Sequence, residues 1–327
     1  MANINENNIH VNKNDEFFIS VAMKKGHTFL LLGVVKNGQP TLLAKIGKVF
    51  NSDRKDLSTL EVLGLKAKCV FSSLDAKLQE ENLSLDGKIS YAAFSINYTQ
   101  YLEFIASLSL TLRKNQMLAA YQEDKEESNG NITLKRYAVV QEDDVSIPQK
   151  IKPIIERSHT LSVNNTCRHT AVELIEYVLG ISHLTDNVSR HYFMDLPLTA
   201  EFEKGKLKSG QHMHVLPVPP NKKQVVLMKI YTRMENMLKL DPNGEVTITK
   251  MEALTKLYEQ QAAFLPECNL ADALNNIREW KKYNQDLIST FRDKSFFGTC
   301  FVTRTATSAM ADELETQLSK AASSSLK

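Results

Sequence analysis

The run Phe29-Leu30-Leu31-Leu32 is the strongest constraint on how this chain can fold. Successive side chains of a strand point to opposite faces, so four consecutive apolar residues need cover on both. The run belongs to a β-rich segment, residues 27–36, that ends at Asn37-Gly38-Gln39-Pro40. Those four residues favour a tight turn, and a second β-rich segment follows at 41–50. Together they read as an antiparallel hairpin whose first strand is central and buried. If the turn centres on Gly38 and Gln39, His27 stands opposite about residue 50. A short apolar run at 17–23, closed by Lys24, Lys25 and Gly26, precedes the hairpin.

Downstream, residues 66–72 read as a strand and 74–82 as a polar helix. Residues 98–121 read as one long helix, with Tyr101, Ile105, Leu108 and Leu112 on one face. The acidic stretch 122–131 reads as a solvated loop, 132–141 as a strand, and 151–159 as a short helix opened by Pro153. Asn165 and Thr166 are good helix caps and Gly180 a good stop, so a helix is expected over 166–179. Segments 193–198 and 212–220 read as extended. After Pro219-Pro220 the pattern turns helical, at 224–239, 250–264 and 270–291. The expected fold class is α+β: an antiparallel sheet packed on helices over residues 1–220, then an all-helical region over 221–327 whose small, polar end, 321–327, is disordered.

The charge balance narrows the partners. Forty basic and 38 acidic side chains leave a net charge of +2, without the clustered excess that a phosphate backbone requires, so no nucleic-acid partner is expected. The most apolar windows, 29–35 and 105–112, are far shorter than the ~20 residues of a membrane-spanning helix. Residues 1–13 are polar and Asn-rich, unlike a secretory signal. Without such a signal, the Asn-x-Thr triplets at Asn97, Asn131 and Asn164 read as chance. Four scattered cysteines, Cys69, Cys167, Cys268 and Cys300, form no CxxC pair, which argues for reduced thiols over a disulfide framework or zinc ribbon. His169, His183, His191, His212 and His214 match no zinc-ligand spacing, and Gly205 and Gly244 are isolated turn residues, so neither metal nor cofactor is expected.

Cys167 carries the chemistry of interest. At a helix N-terminus, free amides and partial positive charge favour the thiolate and can receive an oxyanion. Its helix face, with Ala171, Ile175 and Val178, should pack on the sheet, and a buried inert cysteine is the alternative. His27 opens the buried strand and is the candidate base. A third group usually orients such an imidazole, and the hairpin register nominates Asn51 and Asp53.

Gly26-His27-Thr28-Phe29 opening a strand, with Asn165-Thr166-Cys167-Arg168-His169 opening a later helix, resembles the circularly permuted papain-like cysteine enzymes. These include lecithin-retinol-acyltransferase-like proteins and the desumoylating isopeptidases. Their helix begins Asn-Cys-x-x-Phe, whereas here Thr166 separates Asn165 from Cys167 and Thr170 stands at the Phe position. The second hairpin histidine of the acyltransferase branch is absent. The resemblance implies Cys167 as nucleophile and His27 as base. A second resemblance is to type IV (Dot/Icm) secreted effectors of intracellular bacteria. It is carried by residues 91–104 (YAAFSINYTQYLEF), by 193–198 and 215–220, and by Asp312, Glu313 and Glu315 before a small-residue tail. It implies secretion into the host cell cytoplasm and a host protein substrate, acted on by a protease, deamidase or transglutaminase. The other reading is a non-catalytic effector that binds a host protein through the region after Asn221.

Overall fold

A computed structural model describes residues 8–51, 67, 72–114, 116–141, 147–184, 188–191, 194–265, 270–291 and 304–325. The chain forms two compact units, Met1–Val215 and Leu216–Lys327. Its class is α+β, with antiparallel sheets.

In chain order the first unit contains β1 (Ile9–Asn12), β2 (Glu16–Lys24), β3 (His27–Lys36), β4 (Gln39–Phe50), β5 (Leu74–Glu80), β6 (Gly87–Ile96), α1 (Tyr98–Thr111), β7 (Met117–Glu126), β8 (Asn131–Val140), α2 (Lys152–Ser158), β9 (Thr160–Leu161), α3 (Cys167–Leu179), β10 (Leu198–Glu203) and β11 (Lys206–Leu207). An eight-stranded sheet runs β11-β10-β6-β2-β3-β4-β5-β9, and a three-stranded sheet runs β1-β8-β7. β3 is thus central, and Thr28 through Val35 are all buried, as its two-faced apolar run requires.

Lys25 and Gly26 take positive φ, 48° and 76°, which makes the two-residue turn joining β2 to β3. Such a turn matches the right-handed strand twist, and glycine occupies its second position without steric cost. His27 is therefore the first residue of a central strand, at the rim of the sheet. Helix α3 lies on β2, β3 and β4 and buries Ala171, Val172, Leu174, Ile175 and Val178. His169 Nδ1 accepts the Thr166 N–H at 3.3 Å, satisfying one donor at the helix start. Gly180 ends the helix in the left-handed conformation, φ 65°.

Several elements differ from the sequence-based expectation. Residues 74–80 form a strand, not a polar helix: Ala76 and Leu78 are buried with period two, and β5 pairs with β4 from Phe50↔Ala76 to Ile46↔Glu80. The long helix expected at 98–121 stops at Thr111, where Leu112 turns extended (ψ 152°). Residues 117–126, expected to continue that helix and then form a loop, pair with β8. Leu118 and Ala120 face inward there, so cross-strand pairing overrides the helical spacing. The strand expected at 66–72 falls mostly outside the described residues.

The described residues of the second unit form α4 (Val225–Leu240), α5 (Glu245–Phe264), α6 (Leu270–Tyr283), α7 (Gln285–Ser289) and α8 (Ala306–Ser325). The tail expected to be disordered from residue 321 is instead helical through Ser325. The spacing of Met310, Ala311, Leu314 and Leu318, all buried, gives α8 an apolar stripe that holds it. Among the described residues, no helix is long and apolar enough to cross a membrane.

Ile175 has no exposed surface and lies on the face that seats α3 on the sheet. Ile175→Ala should lower unfolding stability by about 2–5 kcal/mol, read from the urea midpoint at unchanged slope.

Candidate active site

Three elements meet around His27. The β2–β3 turn sets its backbone, α3 brings Cys167, and the residue after β5 brings Glu81. Glu81 N–H donates to Lys45 O at 2.9 Å, extending the β4–β5 ladder by one residue. From there its side chain crosses β4 to reach β3, and Glu81 Oε1 lies 2.5 Å from His27 Nε2. The crossing depends on Gly47. A Cβ built there would stand 2.9 Å from His27 Nε2 and closer still to Glu81 Oε1. Only a residue without a side chain leaves room for the pair.

The second carboxylate oxygen is held as well: Lys45 Nζ lies 3.1 Å from Glu81 Oε2 and 4.6 Å from the Phe29 ring centroid. Burial works to raise the Glu81 carboxyl, but His27 and Lys45 outweigh it and hold the group below the usual carboxylate range.

Cys167 stands beside the His27 ring, close enough that each shifts the other's protonation. Cys167 is 7% exposed and the imidazole side chain 38%. Burial pushes the Cys167 thiol up, yet the hydrogen bonds from His27 and the Thr28 N–H overcome it and leave the thiol below its ordinary value. His27 is pushed up to about 9, first by its bond to Cys167 and then by Glu81, against burial. Both directions favour a thiolate–imidazolium pair. Helix geometry also leaves the amides of the first turn of α3 without intrahelical acceptors, in the position where an oxyanion beside Cys167 needs donors.

Arg168, fully buried next to the nucleophile, ties the surrounding chain together. Its guanidinium donates to His191 O at 2.5 Å and approaches Met23 Sδ at 2.9 Å, linking the start of α3 to the end of β2.

The structure therefore places Cys167 beside His27 and gives the imidazole Glu81 as its carboxylate partner. Asn51 does not orient the imidazole: its Nδ2 donates to Asp75 Oδ2 at 2.6 Å and its N–H to Asp75 O at 3.1 Å. The turn centres on Asn37 and Gly38, since Lys36 pairs with Gln39, and a register shift follows Leu32. The turn moves the residue opposite His27 two places away from Asn51 and the shift restores one, so with Phe29 paired to Gly47 the strand continues to about residue 49 opposite His27. Asp53 lies outside the described residues. Glu81 was missed because 74–82 read as a helix; the period-two apolar positions Ala76 and Leu78 were the available signal. Among the described residues, no group of three or more His, Cys, Asp or Glu side chains is arranged to hold a metal ion.

No family model matches the chain, and no curated protein and no solved structure matches it.

By NMR titration the His27 ring should lose its proton near pH 9. In Glu81→Gln and in Gly47→Ala that titration should move to lower pH, because each removes the carboxylate's hold on Nε2. An unchanged titration in both variants would contradict the role given to Glu81.

Proposed function

We propose that this protein is a cysteine hydrolase or acyl-transfer enzyme, with Cys167 as nucleophile, His27 as acid–base group and Glu81 as the residue that orients the imidazole. The observation that carries this reading is the chain of contacts Cys167–His27–Glu81, with the far carboxylate oxygen on Lys45. A thiolate here attacks the carbonyl carbon of an amide or thioester, and the first-turn amides of α3 stabilise the oxyanion. As the tetrahedral species collapses, the bond to the leaving group breaks and the His27 imidazolium gives its proton to the departing amine. Water, activated by neutral His27, then hydrolyses the thioester; an amine in its place gives transfer. Peptide, isopeptide and glutamine side-chain bonds all fit this chemistry.

The core is proposed as a circularly permuted papain-like one. The order supports it: a histidine strand precedes a cysteine helix that packs on an antiparallel sheet. The resemblance of residues 91–104 and the other quoted segments to Dot/Icm effectors supports a bacterial effector acting on a host protein in the host cell cytoplasm. One observation favours the rival reading, a non-catalytic effector that binds a host protein through its C-terminal helices: the Cys167 sulfur is largely buried, with the residue 7% exposed.

The test is the rate of iodoacetamide alkylation at Cys167 against pH. The midpoint should lie below the ~8.5 of a free thiol and move upward in His27→Ala. At pH 7 the variant should react more slowly. An unreactive Cys167, or one indifferent to His27, would favour the binding protein.

With an active substrate, kcat/KM should follow a bell. Its acid limb belongs to Cys167, which must lose its proton. Its alkaline limb, near pH 9, belongs to His27, which must keep one for the leaving group. Cys167→Ala should reduce kcat by about 10⁶-fold.

A further inference from the structure

Lys48 is the charged side chain that the proposed reaction leaves unexplained. It is 4% exposed and sits in β4 next to Gly47. Neighbouring side chains of a strand point to opposite faces. Gly47 faces the His27–Glu81 pair, and Lys48 faces the start of α3.

Its ammonium is saturated. Nζ lies 2.8 Å from Arg157 O, 3.0 Å from Asn165 Oδ1, 3.1 Å from Asn165 O and 3.0 Å from Thr170 Oγ1. Three N–H donors thus face four acceptors. Asn165 and Thr170 bracket Cys167, two residues before it and three after. Asn165 Nδ2 also donates to Arg157 O and Thr160 O, at 2.9 and 2.8 Å, so the turn into α3 is braced from both sides.

A neutral donor could brace this turn at less cost, because burying an ammonium carries a desolvation penalty. The charge itself therefore calls for an explanation, and the first turn of α3 supplies one, since the thiolate forms there.

We propose that Lys48 is a positioning residue for the nucleophile: it fixes the Asn165–Cys167 turn and places a buried positive charge under the first turn of α3 that holds Cys167 as thiolate. This rests on the Cys–His reading above. The charged groups that act on Lys48 are Cys167 and Glu173 on α3 and Arg157 on α2, and Lys48 in turn acts on His169. Burial lowers Lys48 to about 8, against the pull of the Cys167 thiolate and Glu173 and with the push of Arg157. The ammonium is accordingly charged at neutral pH and fades above it.

The test is Cys167 alkylation against pH in Lys48→Met, which keeps the length and loses the charge, alongside urea unfolding. The midpoint should move to higher pH, and the rate at pH 7 should fall on the order of tenfold. A bracing role alone would lower stability and leave the midpoint of the folded protein in place. If Lys48→Met does not fold, Thr170→Val decides. It swaps nearly isosteric side chains, removes one acceptor and weakens the hold of Lys48 on its proton, so it should move the midpoint the same way by less. A low wild-type midpoint that neither folded variant moves would overturn this proposal and leave the Cys–His reading standing. A wild-type midpoint at the free-thiol value would overturn both.

Discussion

The site depends on one carboxylate reaching across a strand. Glu81 follows β5 and His27 opens β3, and β4 lies between them. A side chain can span that gap only where the intervening residue has no Cβ, which Gly47 provides. The span also requires the β3-β4-β5 order and its register. Two hairpin turns and a register shift after Leu32 therefore all act on the orientation of one imidazole. With Nε2 held by Glu81, the ring is fixed beside Cys167. Lys45 completes the arrangement by occupying the second carboxylate oxygen, so an acid only 18% exposed has a partner on each oxygen.

β4 supports the site from both faces. On one, Gly47 leaves room and Lys45 holds Glu81; on the other, Lys48 braces the turn that carries Cys167. The same strand buries Leu43, Ala44 and Ile46 in the core. Movement of β4 would therefore disturb the imidazole and the sulfur together. A rigid strand flanked by neighbours on both sides is a better platform for such groups than a loop.

Local pattern sufficed wherever an element declares itself by its own residues. The hairpin was legible from Phe29 to Leu32 and the Asn37-Gly38 turn, and α3 from its caps and its Ala171, Ile175 and Val178 face. Cys167 and His27 were legible for the same reason, since each begins its own element. Glu81 was not, because its role exists only through pairing between strands distant in sequence. Residues 74–82 are rich in helix formers, and nothing local announces that β4 waits beside them. Asn51 instead bonds to Asp75, and a displacement of one place exchanges the residue opposite His27. The helical end of the chain was missed because its small residues suggested a free tail, while Met310, Ala311, Leu314 and Leu318 bury a continuous stripe.

The surroundings of Cys167 bear on whether it is a nucleophile or a piece of core. An inert buried cysteine lies among apolar groups, and burial then raises its pKa and keeps the proton on sulfur. Here burial is nearly complete, yet the thiol is shifted the other way. The His27 ring and the Thr28 N–H both favour the thiolate, and Lys48 reaches the same helical turn. Desolvation strengthens each of these interactions, because a low-dielectric setting weakens Coulomb attraction least. Burial and activation therefore do not oppose each other at this site. The same exclusion of water that would silence a lone thiol makes the cationic neighbours of this one more effective, while His27, 38% exposed, stays within reach of solvent for the proton transfers assigned to it.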